Sequence, residues 1–125
     1  MKKLLSIMLA LIFIAVFFSG CGSKPHSGDV SGVTVNVFGN SRYSKEQLNE
    51  AAECIKKGFA SYIDCTLVNL DFKEDTETGV IFTGDFKTGV NSINDGFNAN
   101  DYYEDWSWEL EYQNGGWVEV NHGYG

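Results

Sequence analysis

Beyond residue 31, the residues of this chain that could do chemistry are two of its three cysteines, one of its two histidines (His26 lies before that point), a run of acids and amides, and three tryptophans. Cys54 and Cys65 are close enough in sequence for a bridge between them to close a loop of about a dozen residues, contributing roughly 3 kcal/mol through chain entropy. Geometry opposes that bridge. If Cys54 lies on a helix running to Tyr62, it stands about 12 Å before the helix end, whereas a disulfide needs Cα atoms within about 7 Å. A bridged pair and two buried thiols both stay open. His122 has no nucleophile or second ligand at a recognisable spacing, so it reads as a surface or half-buried strand residue. Asn91, Asn94, Asp95, Asn98, Asn100, Asp101, Glu104 and Asp105 offer the hard oxygens that calcium favours. They do not fall in the register of a calcium-binding loop, so they read as solvated turn formers. With no Gly-x-Ser-x-Gly, His-Glu-x-x-His, paired Cys-x-x-Cys or phosphate loop, the expectation is no enzyme, no metal and no cofactor.

A third cysteine has a different setting. Met1-Lys2-Lys3 is a positive start, and Leu4 to Phe18 is apolar apart from Ser6, ending at Ser19-Gly20-Cys21. Fifteen residues at about 1.5 Å each span only about 22 Å, short for a bilayer core of about 30 Å. A charged start, a short apolar run and small residues before the break are the marks of a secretory leader. The ending resembles the lipobox, in which the cysteine thiol is lipidated and becomes the first residue. Phe18 stands where Leu is usual. The alternative is an uncleaved membrane anchor, and both readings place the rest outside the cytoplasmic membrane. From Cys21 to residue 31 the chain is polar and Gly/Ser-rich, the composition of a flexible tether reaching roughly 15–20 Å. The divisions expected are thus a leader over 1–20, a lipidated cysteine and tether over 21–31, and one domain over 32–125.

The domain must be compact and acidic. Of 125 residues, 17 are Asp or Glu and nine Lys or Arg; Lys2 and Lys3 belong to the leader, so the remainder carries seven bases and a formal charge of −10. That balance argues against nucleic acid, anionic head groups and other phosphate-rich partners.

Local patterns then supply the elements that position these residues. Val33, Val35 and Val37 alternate with polar residues, predicting a first strand that closes at Gly39-Asn40. Ser44 and Gln47 form a capping box with Tyr43 as a staple on Leu48, and Leu48, Ala51, Ala52, Ile55, Phe59 and Tyr62 recur at helical spacing. A helix is predicted from 45 to about 62. Val68, Leu70 and Phe72 share a strand face. Val80-Ile81-Phe82 begins the next strand, and residues 88–104 read as a long loop. Trp106, Trp108, Leu110 and Tyr112 form an inner face, and Asn114-Gly115-Gly116 turns the chain into the last strand. Trp106 and Trp108 are expected in the core. Trp117, of opposite parity to Val118 and Val120, is expected as an exposed contact, together with Tyr124. The acids of the strands are expected to face outwards. One helix can bury its stripe only across a sheet, which gives an α+β domain: one long helix on a curved antiparallel sheet of four to five strands.

Tyr43-Ser44-Lys45-Glu46, Cys65-Thr66-Leu67, Asp85-Phe86-Lys87-Thr88, Trp106-Ser107-Trp108-Glu109-Leu110, Trp117 and Gly123-Tyr124-Gly125 carry a wider likeness. Over about residues 36–125 the chain resembles a family of small bacterial lipoproteins built of a signal, a tether and one such domain. The resemblance implies a cystatin-like or NTF2-like fold, and it implies no activity or catalytic residue. The Gln-x-Val-x-Gly hairpin of cystatin inhibitors does not occur. The expected function is a non-enzymatic binding or scaffold module, lipid-anchored to the membrane on its extracytoplasmic face, with a protein partner outside the cytoplasm. The alternative is a small-molecule or isomerase-type pocket between helix and sheet, which would require an inward carboxylate, histidine or tyrosine hydroxyl.

Overall fold

The computed structural model describes residues 26–124, so the leader and the lipidation site at Cys21 lie outside the described residues. The elements are β1 (Thr34–Asn36), α1 (Lys45–Phe59), β2 (Thr66–Asp75), β3 (Gly79–Lys87), a 3-10 helix (Val90–Asp95), β4 (Tyr102–Gln113) and β5 (Gly116–Gly123). The five strands lie side by side in sequence order. The chain is α+β, with one helix packed on this sheet.

The helix begins where its cap requires. The Gln47 amide donates to Ser44 Oγ at 3.1 Å, and the Ser44 amide donates to Gln47 Oε1 at 2.9 Å. Glu46 sits in the first turn and Lys56 and Lys57 in the last, complementing the helix dipole. The stripe of Leu48, Ala51, Ala52, Ile55 and Phe59 is buried. Regular helix stops at Phe59, three residues short of the expected end, and the chain continues through turns to Tyr62, which is still buried. The helix backbone lies nearest β2 and β5, so the sheet curls around it. Phe82, Phe86, Trp108 and Leu110 fill the hollow between them, all fully buried.

Two expectations need correction. The sheet is mixed rather than antiparallel, because β1 runs parallel to β2 while the other pairs are antiparallel. The reason is topological: β1 and β2 are neighbours joined through a helix, and such a crossover brings the chain back in the same direction. The tether is also shorter than its composition suggests. Asp64 N donates to His26 O at 2.7 Å, Gly28 N to Ala60 O at 3.1 Å, and Leu67 N to Asp29 O at 2.9 Å. Residues 26–31 are therefore part of the domain. Gly28 is required there, since a side chain would run into the Phe59 carbonyl oxygen.

Removing the cap side chain in Ser44→Ala is expected to cost about 1 kcal/mol in urea unfolding. Gly28→Ala is expected to cost more, roughly 2–3 kcal/mol, through the backbone clash. If residues 26–30 were loosely held, Gly28→Ala would leave the midpoint unchanged.

Candidate functional site

The site is set by the last hairpin. Asn114-Gly115 is its tight turn, with positive φ at both residues, and it pairs Gln113 with Gly116. Counting back from that turn, Trp117 lies opposite Tyr112 and Glu119 opposite Leu110. Cross-strand partners share a face, so Glu119 shares the helix side with Leu110. Val120 then has no partner, since Asn121 pairs with Glu109 and Glu119 with Leu110. This bulge resets the alternation and puts His122 opposite Trp108, again on the helix side. A half-buried carboxylate and a solvent-exposed imidazole thus lie on the helix side of the sheet, at the rim of the hollow.

Tyr62 meets them from the turn after α1. Its ring stacks on Phe59 at 4.6 Å and on Phe97 at 5.7 Å, and lies 6.0 Å from the His122 ring. His122 also stacks against Trp106 at 6.2 Å. Phe97 reaches this cluster because the segment before β4 is pinned rather than solvated. The Thr88 hydroxyl donates to Asn98 O at 2.6 Å, and buried Ser92 donates to Ile63 O at 2.9 Å. Ser61, Tyr62, Phe97 and His122 line an open cleft of about 380 Å³.

The polar chemistry behind this cleft is incomplete. The Tyr62 hydroxyl and the indole N–H groups of Trp106 and Trp108 are buried without a hydrogen-bond partner. Both indoles act on the hydroxyl closely enough to favour its ionised form, yet neither reaches hydrogen-bond geometry. Buried polar groups are nearly always paired, so three orphans around one point stand out. Burial pushes the Tyr62 hydroxyl upwards, outweighing the indoles, so it stays a neutral donor. Burial likewise raises the Glu119 carboxyl above its ordinary 4.5, with His122 pulling it back down. The two indole N–H groups are directed at the Tyr62 oxygen, the hydroxyl keeps its own proton to donate, and Glu119 adds a carboxylate of raised basicity at the margin.

Other candidate residues fall elsewhere. Trp117 is not an exposed contact: it packs half-buried against Tyr43 and Tyr112 at 4.9 and 4.8 Å, and its indole donates to Gln47 O at 2.9 Å. On β5, Val118, Val120, Asn121 and His122 are exposed, and the first two reverse the parity expected for Trp117. Tyr124 is exposed, 66% of its surface open, with its ring against Tyr103 and Trp106. Trp108 is core as expected, and Trp106 is half-buried at the cleft.

Cys54 and Cys65 are not bridged. The Cys54 thiol points at Trp117 O on β5, while Cys65 faces Ile63 and Ser92 beneath the 3-10 helix. Burial, then the charge of Glu119, pushes the Cys54 thiol upwards, which makes it a poor nucleophile. Within the acid- and amide-rich segment, the Asn91 side chain donates to Asp64 and that of Asn98 to Asp101. A wider depression of about 610 Å³ on the uncovered sheet face is lined by Phe72, Lys73, Thr83, Asp105, Ser107 and Tyr124. It has no orphaned buried group, so the smaller cleft is the better candidate. Compared with family models, curated proteins and solved structures, the chain matches none.

Tyr62→Phe removes an unpaired buried hydroxyl and is expected to be neutral or to stabilise by about 1 kcal/mol in urea unfolding; a loss of that size would mean the hydroxyl is satisfied. Glu119 has a raised carboxyl in the fold, so its protonation favours the folded state below about 4.5, and that support is lost as pH rises through the raised value. Glu119→Gln is therefore expected to gain stability relative to the parent between acidic and neutral pH. A pH-independent difference would contradict the inward placement.

Proposed function

We propose that this chain is an extracytoplasmic lipoprotein, held to the membrane through Cys21, whose domain is a non-enzymatic module binding a small ligand in the cleft of Tyr62 and His122. The anchor half rests on the leader and on Ser19-Gly20-Cys21; two acyl chains on one residue would hold the protein stably where one would not. The ligand half rests on one observation: three orphaned donors, Tyr62 Oη, Trp106 Nε1 and Trp108 Nε1, behind an open cleft. Of the three, only Tyr62 lines the cleft, so a ligand offering a carbonyl or ether oxygen would be taken by its hydroxyl, with the two indoles behind it. The aromatic walls suit a flat apolar body, and a formal charge of −10 disfavours an anion. The cystatin-like or NTF2-like identity belongs to the same proposal, supported by one helix held in a curved sheet with polar groups at one end of the hollow.

A protein partner outside the cytoplasm is the second reading, and β5 is the observation that favours it. This edge strand exposes Val118 and Val120 side by side, and an open edge can accept another strand.

The anchor is tested by fractionation: Cys21→Ser is expected to release the protein from membranes. The cleft is tested by nuclear magnetic resonance with a neutral aromatic amide such as benzamide. Indole N–H signals of Trp106 and Trp108 are expected to move several-fold further than that of Trp117, whose donor is already bound. Shifts confined to Trp117, or to the Phe72 and Tyr124 face, would overturn the assignment.

A further inference from the structure

The 3-10 helix after β3 has an unusual orientation. Ser92 is fully buried, and its hydroxyl both donates to Ile63 O and accepts from Gly89 N. Asn91 is held through its backbone and side-chain nitrogens by Asp64 Oδ2, at 3.0 and 3.3 Å. These polar residues face the protein. The apolar ones do not: Val90 is 50% exposed and Ile93 59%. Residues three apart eclipse in a 3-10 helix, so the two side chains stand together as one outward knob. An element fixed this firmly cannot turn its apolar face inwards without breaking the bonds to Asp64 and Ile63.

The knob sits where the chain enters the domain. Asp64 Oδ1 lies 3.2 Å from His26 Nε2 while its other oxygen holds Asn91, so one carboxylate ties the entering chain to the 3-10 helix. Asp64 adopts a left-handed backbone conformation, φ 63°, in the turn that brings these partners together. Five backbone steps separate Cys21 from His26, and even fully extended they reach only about 18 Å. If Cys21 carries acyl chains, this end of the domain cannot move further than that from the lipid surface.

We infer that Val90 and Ile93 form a membrane-contacting knob that seats this end of the domain in the interfacial zone of the bilayer that anchors Cys21. The inference rests on the reading of Cys21 as the lipid anchor. The occupant is lipid rather than an anionic head group specifically, because a formal charge of −10 gives the domain no electrostatic attraction to such a surface. The contact is therefore apolar. Two side chains would hold a freely diffusing domain weakly, but the anchor makes their insertion an intramolecular event at high effective concentration.

The test uses the mature lipidated chain on phosphatidylcholine vesicles with brominated acyl chains. An environment-sensitive dye is placed by Ile93→Cys or, as a control at the hairpin end, by Val118→Cys, which is 44% exposed in the parent. Both carry Cys54→Ala so that only the new thiol reacts; Cys65 is fully buried. The expected result is blue-shifted emission at 93 with at least threefold stronger quenching than at 118. Weak, equal quenching at both positions on protein that sediments with the vesicles overturns the knob and leaves the anchor standing. Protein that fails to sediment overturns both. Emission at 93 that shifts with protein concentration in the Cys21→Ser form, without vesicles, assigns the face to a second copy and also overturns the inference.

Discussion

The site depends on one extra residue in β5. Without Val120 as a bulge, strict alternation after Glu119 would put Asn121, not His122, on the helix side. The tight turn at Asn114-Gly115 fixes the register up to Glu119, and the bulge changes it beyond. Between them these two features deliver a carboxylate and an imidazole to the same end of the hollow. Tyr62 then completes the cluster because α1 ends at Phe59 and lets the chain turn inwards.

Much of the scaffold was legible in the chain. The capping box marks the start of α1, its apolar stripe identifies the buried face, and the Asn-Gly turn places the final hairpin. What alternation could not show is where it breaks. In β2, Val68 is the extra residue between Leu67, opposite Phe86, and Asn69, opposite Asp85. Leu67 is thereby buried in place of the expected Val68. In β4, Glu104 and Asp105 stand against Asp85 alone, which brings Tyr103 onto the same aromatic cluster as Trp106. Each bulge costs a period-two reading its parity from that point on. Glu119 was still within reach: Leu110 was expected inside, and the hairpin register makes Glu119 its partner. His122 was not, because nothing local distinguishes a bulge at Val120 from a regular strand. Phe97 was missed for a different reason. A segment rich in Asn and Asp reads as solvent-facing, but Thr88 and Ser92 use their hydroxyls to bind backbone carbonyls and hold it against the sheet.

Packing and chemistry pull in opposite directions at this end of the molecule. Phe59, Phe86 and Trp108 are fully buried and form a rigid aromatic wall, each supplying a few kcal/mol of burial. Against that wall, Tyr62, Trp106 and Trp108 leave three polar atoms unpaired, at about 1–3 kcal/mol for each. A core selected for stability alone would use Phe at 62. Keeping the hydroxyl between two indoles is the kind of local cost that accompanies a binding role, and the cleft of Tyr62 and His122 opens beside it. The same end carries the Asp64 junction, so the candidate ligand site, the entering chain and the apolar 3-10 helix belong to one region of the domain.

The placement of His122 is most directly measured by nuclear Overhauser contacts in the folded domain. Ring protons of His122 should show contacts to both Tyr62 and Trp106, whose ring centres lie 6.0 and 6.2 Å away, and Val120 methyls should show none to either. Contacts from Asn121 to Tyr62, with none from His122, would mean that β5 runs without its bulge and that the cleft has no imidazole.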